Sequence, residues 1–87
     1  MRKSPAKLPS KEEIQVGFGE TVRALRDEQQ LTQEQLAESS EMHVTYISQI
    51  ERGLKNVSLF NIHRIAHALS VPPGELLNAR GKQLARR

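Results

Sequence analysis

Apolar residues recur along this chain at helical rather than strand spacing. Ile14, Phe18, Val22 and Leu25 follow one another at intervals of four, four and three, the repeat of one face of an α-helix. Ser10-Lys-Glu-Glu13 stands just ahead of them in the form of a capping box. A first helix is therefore predicted to begin near Ser10 and end near Gln29. Gly17 and Gly19 each weaken it by roughly 1 kcal/mol against alanine, which predicts an irregular first half or a later start.

Thr32, followed by Gln35 in capping-box register, opens a second helix with Leu36 and Ala37 on its apolar face. Glu41 and Met42 form a turn, and Ile47 and Ile50 give a third helix a buried edge at i, i+3 spacing. Neither helix is long enough to be stable alone, so both must pack on something else. Gly53 is placed to end the third helix in a left-handed conformation. Ser58 caps a fourth helix with a predicted buried stripe of Leu59, Ile62, Ile65, Ala66 and Leu69, while Phe60 falls off that stripe. Val71-Pro-Pro-Gly-Glu-Leu-Leu77 reads as a turn into a short fifth helix with Pro73 in its first turn. The pattern predicts an all-α, compact five-helix domain over residues 10–79.

The outer face of the third helix carries Val44, Thr45, Ser48 and Gln49. A solvated face would carry Lys and Glu. These side chains are short, uncharged and mostly hydrogen-bonding, which suits a helix pressed against another surface. The DNA major groove admits one α-helix and offers donors, acceptors and thymine methyls to such residues.

The stretch from residue 32 to 53 resembles the helix-turn-helix of the Cro/repressor-like (Xre) family of bacterial and phage DNA-binding proteins. The matching pieces are Leu31-Thr-Gln-Glu-Gln-Leu-Ala37, Tyr46-Ile-Ser-Gln-Ile-Glu-Arg-Gly53, Ser58-Leu59 and Ile65-Ala66-His-Ala-Leu69. They extend the likeness from about Phe18 to Leu77. Asn56-Val-Ser-Leu59 with Asn61-Ile62 is similar to a narrower group, the controller proteins of restriction–modification systems. The resemblance implies a lambda-repressor-like fold, a motif over about 32–52 and a recognition helix over about 43–52. It implies a homodimer on double-stranded, pseudo-palindromic operator DNA, with half-sites about 34 Å apart, and regulation of transcription by repression or activation.

The resemblance also assigns roles. Gln33, in the first turn of the second helix, matches a family phosphate contact. Arg26 matches an arginine that pairs with the glutamate at Glu51, so a structural ion pair is expected between the first and third helices. The family often has Gly at Gln30 and Gly-Val at Glu41-Met42. Glu41 would have to take a left-handed conformation, at roughly 1–2 kcal/mol. The last helix commonly helps to build a twofold dimer, which makes Phe60 and Leu76 dimer candidates.

Residue chemistry fills in the rest of the candidate interface. Gln49 can pair bidentately with adenine, Thr45 and Ser48 are permissive, and Val44 can touch a thymine methyl. His43 caps a helix less well than Ser, Thr or Asp, but its ring can reach a phosphate or a base and would strengthen binding at lower pH; the plainer reading is an exposed loop histidine. Tyr46 either stacks on sugar-phosphate or covers the core edge. Arg52, Lys55 and Asn56 are expected on phosphates. His63 and His67, four apart, have a metal-chelating spacing but no third ligand nearby, and partial burial against neighbouring helices is the expected account.

Charge alters the picture. The net charge is +3, yet residues 1–11 hold four bases and no acid, and residues 80–87 hold four bases and no acid. The body between them sets five bases against ten acids. The basicity lies in an arm (1–9, containing Pro5 and Pro9) and a tail (80–87), both expected to be disordered. The arm reads either as a phosphate or minor-groove contact or as a solubilising tail. Non-specific DNA affinity of the body should be modest.

With no cysteine, neither a disulfide nor a thiolate metal site is expected. No apolar run approaches a membrane span of about 20 residues. Met-Arg-Lys-Ser-Pro has no apolar stretch behind it, so no secretory signal is expected and the default location is the cytoplasm. No nucleophile–base set, cofactor or small-molecule site is evident, so an enzyme is not expected. The rival to a DNA-binding regulator is a protein–protein module, such as an antitoxin or adaptor on the same scaffold. The acidic body and the lack of an arginine–guanine fork speak for it.

Overall fold

The computed structural model describes residues 7–78, and they form five helices and no strand. These are α1 (Lys11–Glu28), α2 (Gln33–Ser40), α3 (Val44–Glu51), α4 (Leu59–Ala68) and α5 (Pro73–Leu77). The basic tail expected over 80–87, and residues 1–6 of the basic arm, lie outside the described residues.

Local chemistry sets the helix starts. Ser10 Oγ accepts from Glu13 N and Glu13 Oε1 accepts from Ser10 N, at 3.0 and 2.9 Å. Thr32 and Gln35 repeat the exchange at 3.0 and 2.8 Å. Ser58 caps α4 through Asn61 N. The first four helices all end in one way. Gln30, Glu41, Gly53 and Ser70 take left-handed conformations at φ 60, 60, 79 and 59°. The next residue (Leu31, Met42, Leu54, Val71) donates its N–H to the carbonyl of Arg26, Ala37, Gln49 or Ala66. This is the six-to-one bond of a Schellman cap. Only one of the four left-handed positions carries the glycine that would adopt it without strain.

The helices pack as a closed ring. α1 touches α3 and α5, α2 touches α3 and α4, and α4 touches α5. The ring encloses Val22, Leu25, Leu36, Ala37, Ile47, Ile50, Ile65, Ala66, Leu69 and Leu76. Met42 fills the apolar place in the α2–α3 turn by packing against this cluster.

Several sequence expectations change. α1 runs unbroken through Gly17 and Gly19. The reason at Gly19 is tertiary: a Cβ there would stand 2.2 Å from the carbonyl oxygen of Ile50 and 2.9 Å from that of Glu51. Ile14, on the predicted apolar face, is half exposed. An 18-residue α1 is about 27 Å long and overhangs the eight-residue α3 and five-residue α5 packed on it. Leu59, predicted to be buried, is 71% exposed. It lies roughly 100° around α4 from the line between the buried Ile65 and Leu69. His63 and His67 are both exposed rather than partly buried, and among the described residues no cluster of three or more metal-ligating side chains exists.

Candidate nucleic-acid interface

α3 is apolar behind and polar in front. Ile47 and Ile50 are buried in the core, while His43, Val44, Thr45 and Arg52 are exposed and Ser48 and Gln49 half exposed. Thr45, Ser48, Gln49 and Arg52 share one face at helical spacing, with Val44 beside them. His43 occupies the N-cap but its side chain makes no capping bond. Tyr46 is half-buried and packs against the core cluster, so its ring covers the core edge.

The back of α3 is fixed to α1 along its C-terminal half. The bare Gly19 lets the α1 backbone come up to the Ile50 and Glu51 carbonyls. One turn on, Gly53 lies against Val16, where a Cβ would fall 2.7 Å from Val16 Cγ2. Gln15 Nε2 donates to the Gly53 carbonyl at 3.1 Å.

Arg26 and Glu51 complete the attachment. Arg26 Nε donates to Glu51 Oε2 at 2.6 Å, and Arg26 Nη2 to Oε1 at 2.9 Å. The pair is bidentate, and the Glu51 side chain is 3% exposed. Hydrogen bonding to Glu51 raises the Arg26 pKa above its already high ordinary value; burial opposes this, and the charge of Glu51 adds to it. The guanidinium therefore stays charged throughout the working pH range. Arg26 Nη1 also donates to the Leu31 carbonyl at 2.7 Å, which ties in the loop before α2. Gln33, the first residue of α2, is half-buried, and its Nε2 donates to Glu51 Oε1 at 3.0 Å. One of its two amide protons is thus already engaged within the protein.

The turn between α2 and α3 has its own brace. Arg64 Nη2 donates to the carbonyl of Glu41 at 2.5 Å. The same guanidinium lies over the Phe60 ring, 5.4 Å from its centroid. After α3, Lys55 is half-buried and Asn56 exposed.

Sequence reasoning missed Gln15, Val16 and Arg64 as supports of the motif. The one available signal was Gly19, since a glycine that weakens a helical pattern usually has a packing or functional reason. One site assignment is corrected. Leu76, expected at a dimer surface, is 1% exposed and belongs to the protomer core. Its neighbour Leu77 is 64% exposed, and Leu59 and Phe60 at the start of α4 are also exposed.

A helix face uncharged from Val44 to Gln49, held from behind by its partner helices and entered through a braced turn, is the arrangement of a helix-turn-helix DNA-binding regulator. The helix-turn-helix model HTH_3 matches residues 22–76, and the chain belongs to that family. It is 48% identical over 66 residues to the control protein C.BamHI of Bacillus amyloliquefaciens, which covers 75% of this chain and 82% of that one. Its fold is similar to that of the restriction–modification controller protein C.AhdI from Aeromonas hydrophila, with a TM-score of 0.69 and 46% identity over 70% of this chain and 92% of that one. It is also similar to C.Esp1396I bound to a 25 base pair operator site, with a TM-score of 0.68 and 30% identity over 72% and 83% of the two chains. Among the described residues no helix is long and apolar enough to cross a membrane.

Proposed function

We propose that this protein is a control protein that binds operator DNA upstream of its own gene as a homodimer and regulates transcription from it. The observation that carries the reading is the outer face of α3, uncharged from Val44 to Gln49 and backed by a fixed attachment to α1. Each protomer places α3 in a major groove. Gln49 reads adenine, Thr45 and Ser48 bond to base edges, and Val44 meets a thymine methyl. Gln33, His43, Arg52, Lys55 and Asn56 contact phosphates and fix the register of the helix. Tyr46 is half-buried, and its exposed part meets the sugar-phosphate backbone.

One protomer offers a single recognition helix, whereas a pseudo-palindromic operator presents two half-sites about one helical turn apart. Leu59, Phe60 and Leu77 supply the exposed apolar surface from which a dimer can be built. The operator-bound relative supports this reading, as do the control-protein relatives.

Fluorescence anisotropy with the duplex upstream of the gene, a scrambled duplex and a salt series tests it. The expected result is a preference for the upstream duplex of about 10³ or more. Equal, weak binding to both duplexes would refute operator recognition there, and a pull-down for a protein partner would follow.

A further inference from the structure

The Arg26–Glu51 pair has a third member. Glu51 Oε1 accepts from Arg26 Nη2 and also from Gln33 Nε2, at 2.9 and 3.0 Å. The acceptor belongs to the last residue of α3, and the second donor to the first residue of α2. Arg26 anchors the carboxylate from α1 and the Leu31 carbonyl from the loop. Three helices thus converge on one carboxylate whose side chain is 3% exposed, and the loop before α2 is tied to it through Arg26.

We infer that Glu51 is a positioning residue for DNA binding: its carboxylate holds the Gln33 carboxamide so that one N–H is spent on Glu51 and the other is left for a backbone phosphate. The argument rests on the reading that Gln33 meets a phosphate. A glutamine side chain has three free torsions, and ordering it on binding costs free energy. Glu51 removes that cost in advance. It also fixes where the phosphate must lie relative to α3, because the same residue ends the recognition helix. A carboxamide has two N–H donors, so the internal bond does not exhaust it. An ion pair serving packing alone would have no need of Gln33.

The test separates packing from positioning. A duplex carrying the operator is scanned with single methylphosphonates, each of which removes one anionic oxygen. Gln33→Met should abolish the penalty at one phosphate, roughly tenfold for a hydrogen bond to a charged group. Two double variants are then compared at that phosphate. Arg26→Met with Glu51→Met replaces the pair by apolar groups of similar size, a change often tolerated by the fold. Arg26→Met with Glu51→Gln removes both charges but keeps an acceptor oxygen in place. The Met/Met variant should lose the penalty at the Gln33 phosphate and keep it at the Lys55 phosphate. The Met/Gln variant should retain both.

Retention of the penalty in the Met/Met variant would overturn the positioning role. If Gln33→Met abolishes no penalty at any phosphate, the phosphate contact itself is wrong and the inference falls with it. A measurement on the unmodified protein covers the case of a variant that does not fold. In the free protein the Gln33 side-chain amide protons should exchange with solvent several-fold more slowly than those of the exposed Gln30. Equal exchange would show that Glu51 does not hold the amide.

Discussion

Replacing Gly19 by alanine gives opposite expectations from sequence and structure. A mid-helix glycine costs about 1 kcal/mol relative to alanine, so propensity alone makes Gly19→Ala stabilising by that amount. The tertiary contact reverses the sign. The added Cβ would meet the Ile50 carbonyl oxygen at 2.2 Å and the Glu51 carbonyl oxygen at 2.9 Å. Both are backbone atoms and cannot rotate away. Restoring ordinary contact requires α1 and α3 to part by about 1 Å, and overpacking of this kind costs about 1–3 kcal/mol. The same movement stretches the Arg26–Glu51 bonds of 2.6 and 2.9 Å and loosens Ile50 in the core. Weakening one charged hydrogen bond adds about 1–2 kcal/mol. Set against the propensity gain, the net loss is about 2 kcal/mol, or roughly 10 °C in the melting temperature of a domain this small. Urea unfolding followed by circular dichroism measures it. Gly74→Ala is the control, because a Cβ there meets nothing within 4 Å; it should be neutral or slightly stabilising. A Gly19→Ala variant as stable as its parent would refute the close approach of α1 to the end of α3.

Other outcomes follow from the same geometry. Gln49→Ala should cost roughly 1–3 kcal/mol on the specific duplex and little on random DNA; equal loss on both in anisotropy titrations would remove Gln49 from base readout. Lys55→Ala should weaken binding to all duplexes alike and reduce the salt slope by about one unit, and an unchanged slope would take it off the phosphate. Glu41→Gly should raise stability by roughly 0.5–1 kcal/mol, because the left-handed strain exceeds the chain-entropy cost of glycine; a lower denaturation midpoint would contradict this. Phe60→Asp together with Leu77→Glu should shift sedimentation toward the monomer and leave secondary structure intact, while a variant that remains dimeric would move the interface elsewhere.

What the sequence determined by itself was local. The capping boxes at Ser10 and Thr32 and the cap at Ser58 were legible, because each depends on groups only a few residues apart in the chain, whereas the left-handed turn at Glu41 was legible only through family likeness. The all-α pattern and the helix-turn-helix followed from periodicity and spaced motifs. The Arg26–Glu51 pair was legible only through family likeness, since composition and spacing do not place residues 25 apart in contact. Burial at the ends of elements was not legible. Leu59 and Leu76 look alike as leucines in short helices, yet one is exposed and the other enclosed. The difference is set by which helices lie opposite, and the pattern along one helix carries no record of its neighbours. The same holds for Gly19, a weak point in its own helix that is required by the backbone of another. It holds for Gln33, whose amide meets a carboxylate 18 residues away, and for Arg64, whose guanidinium braces a turn 23 residues earlier. These supports hold the recognition helix at a fixed place and angle, and they exist only once the ring of helices has closed.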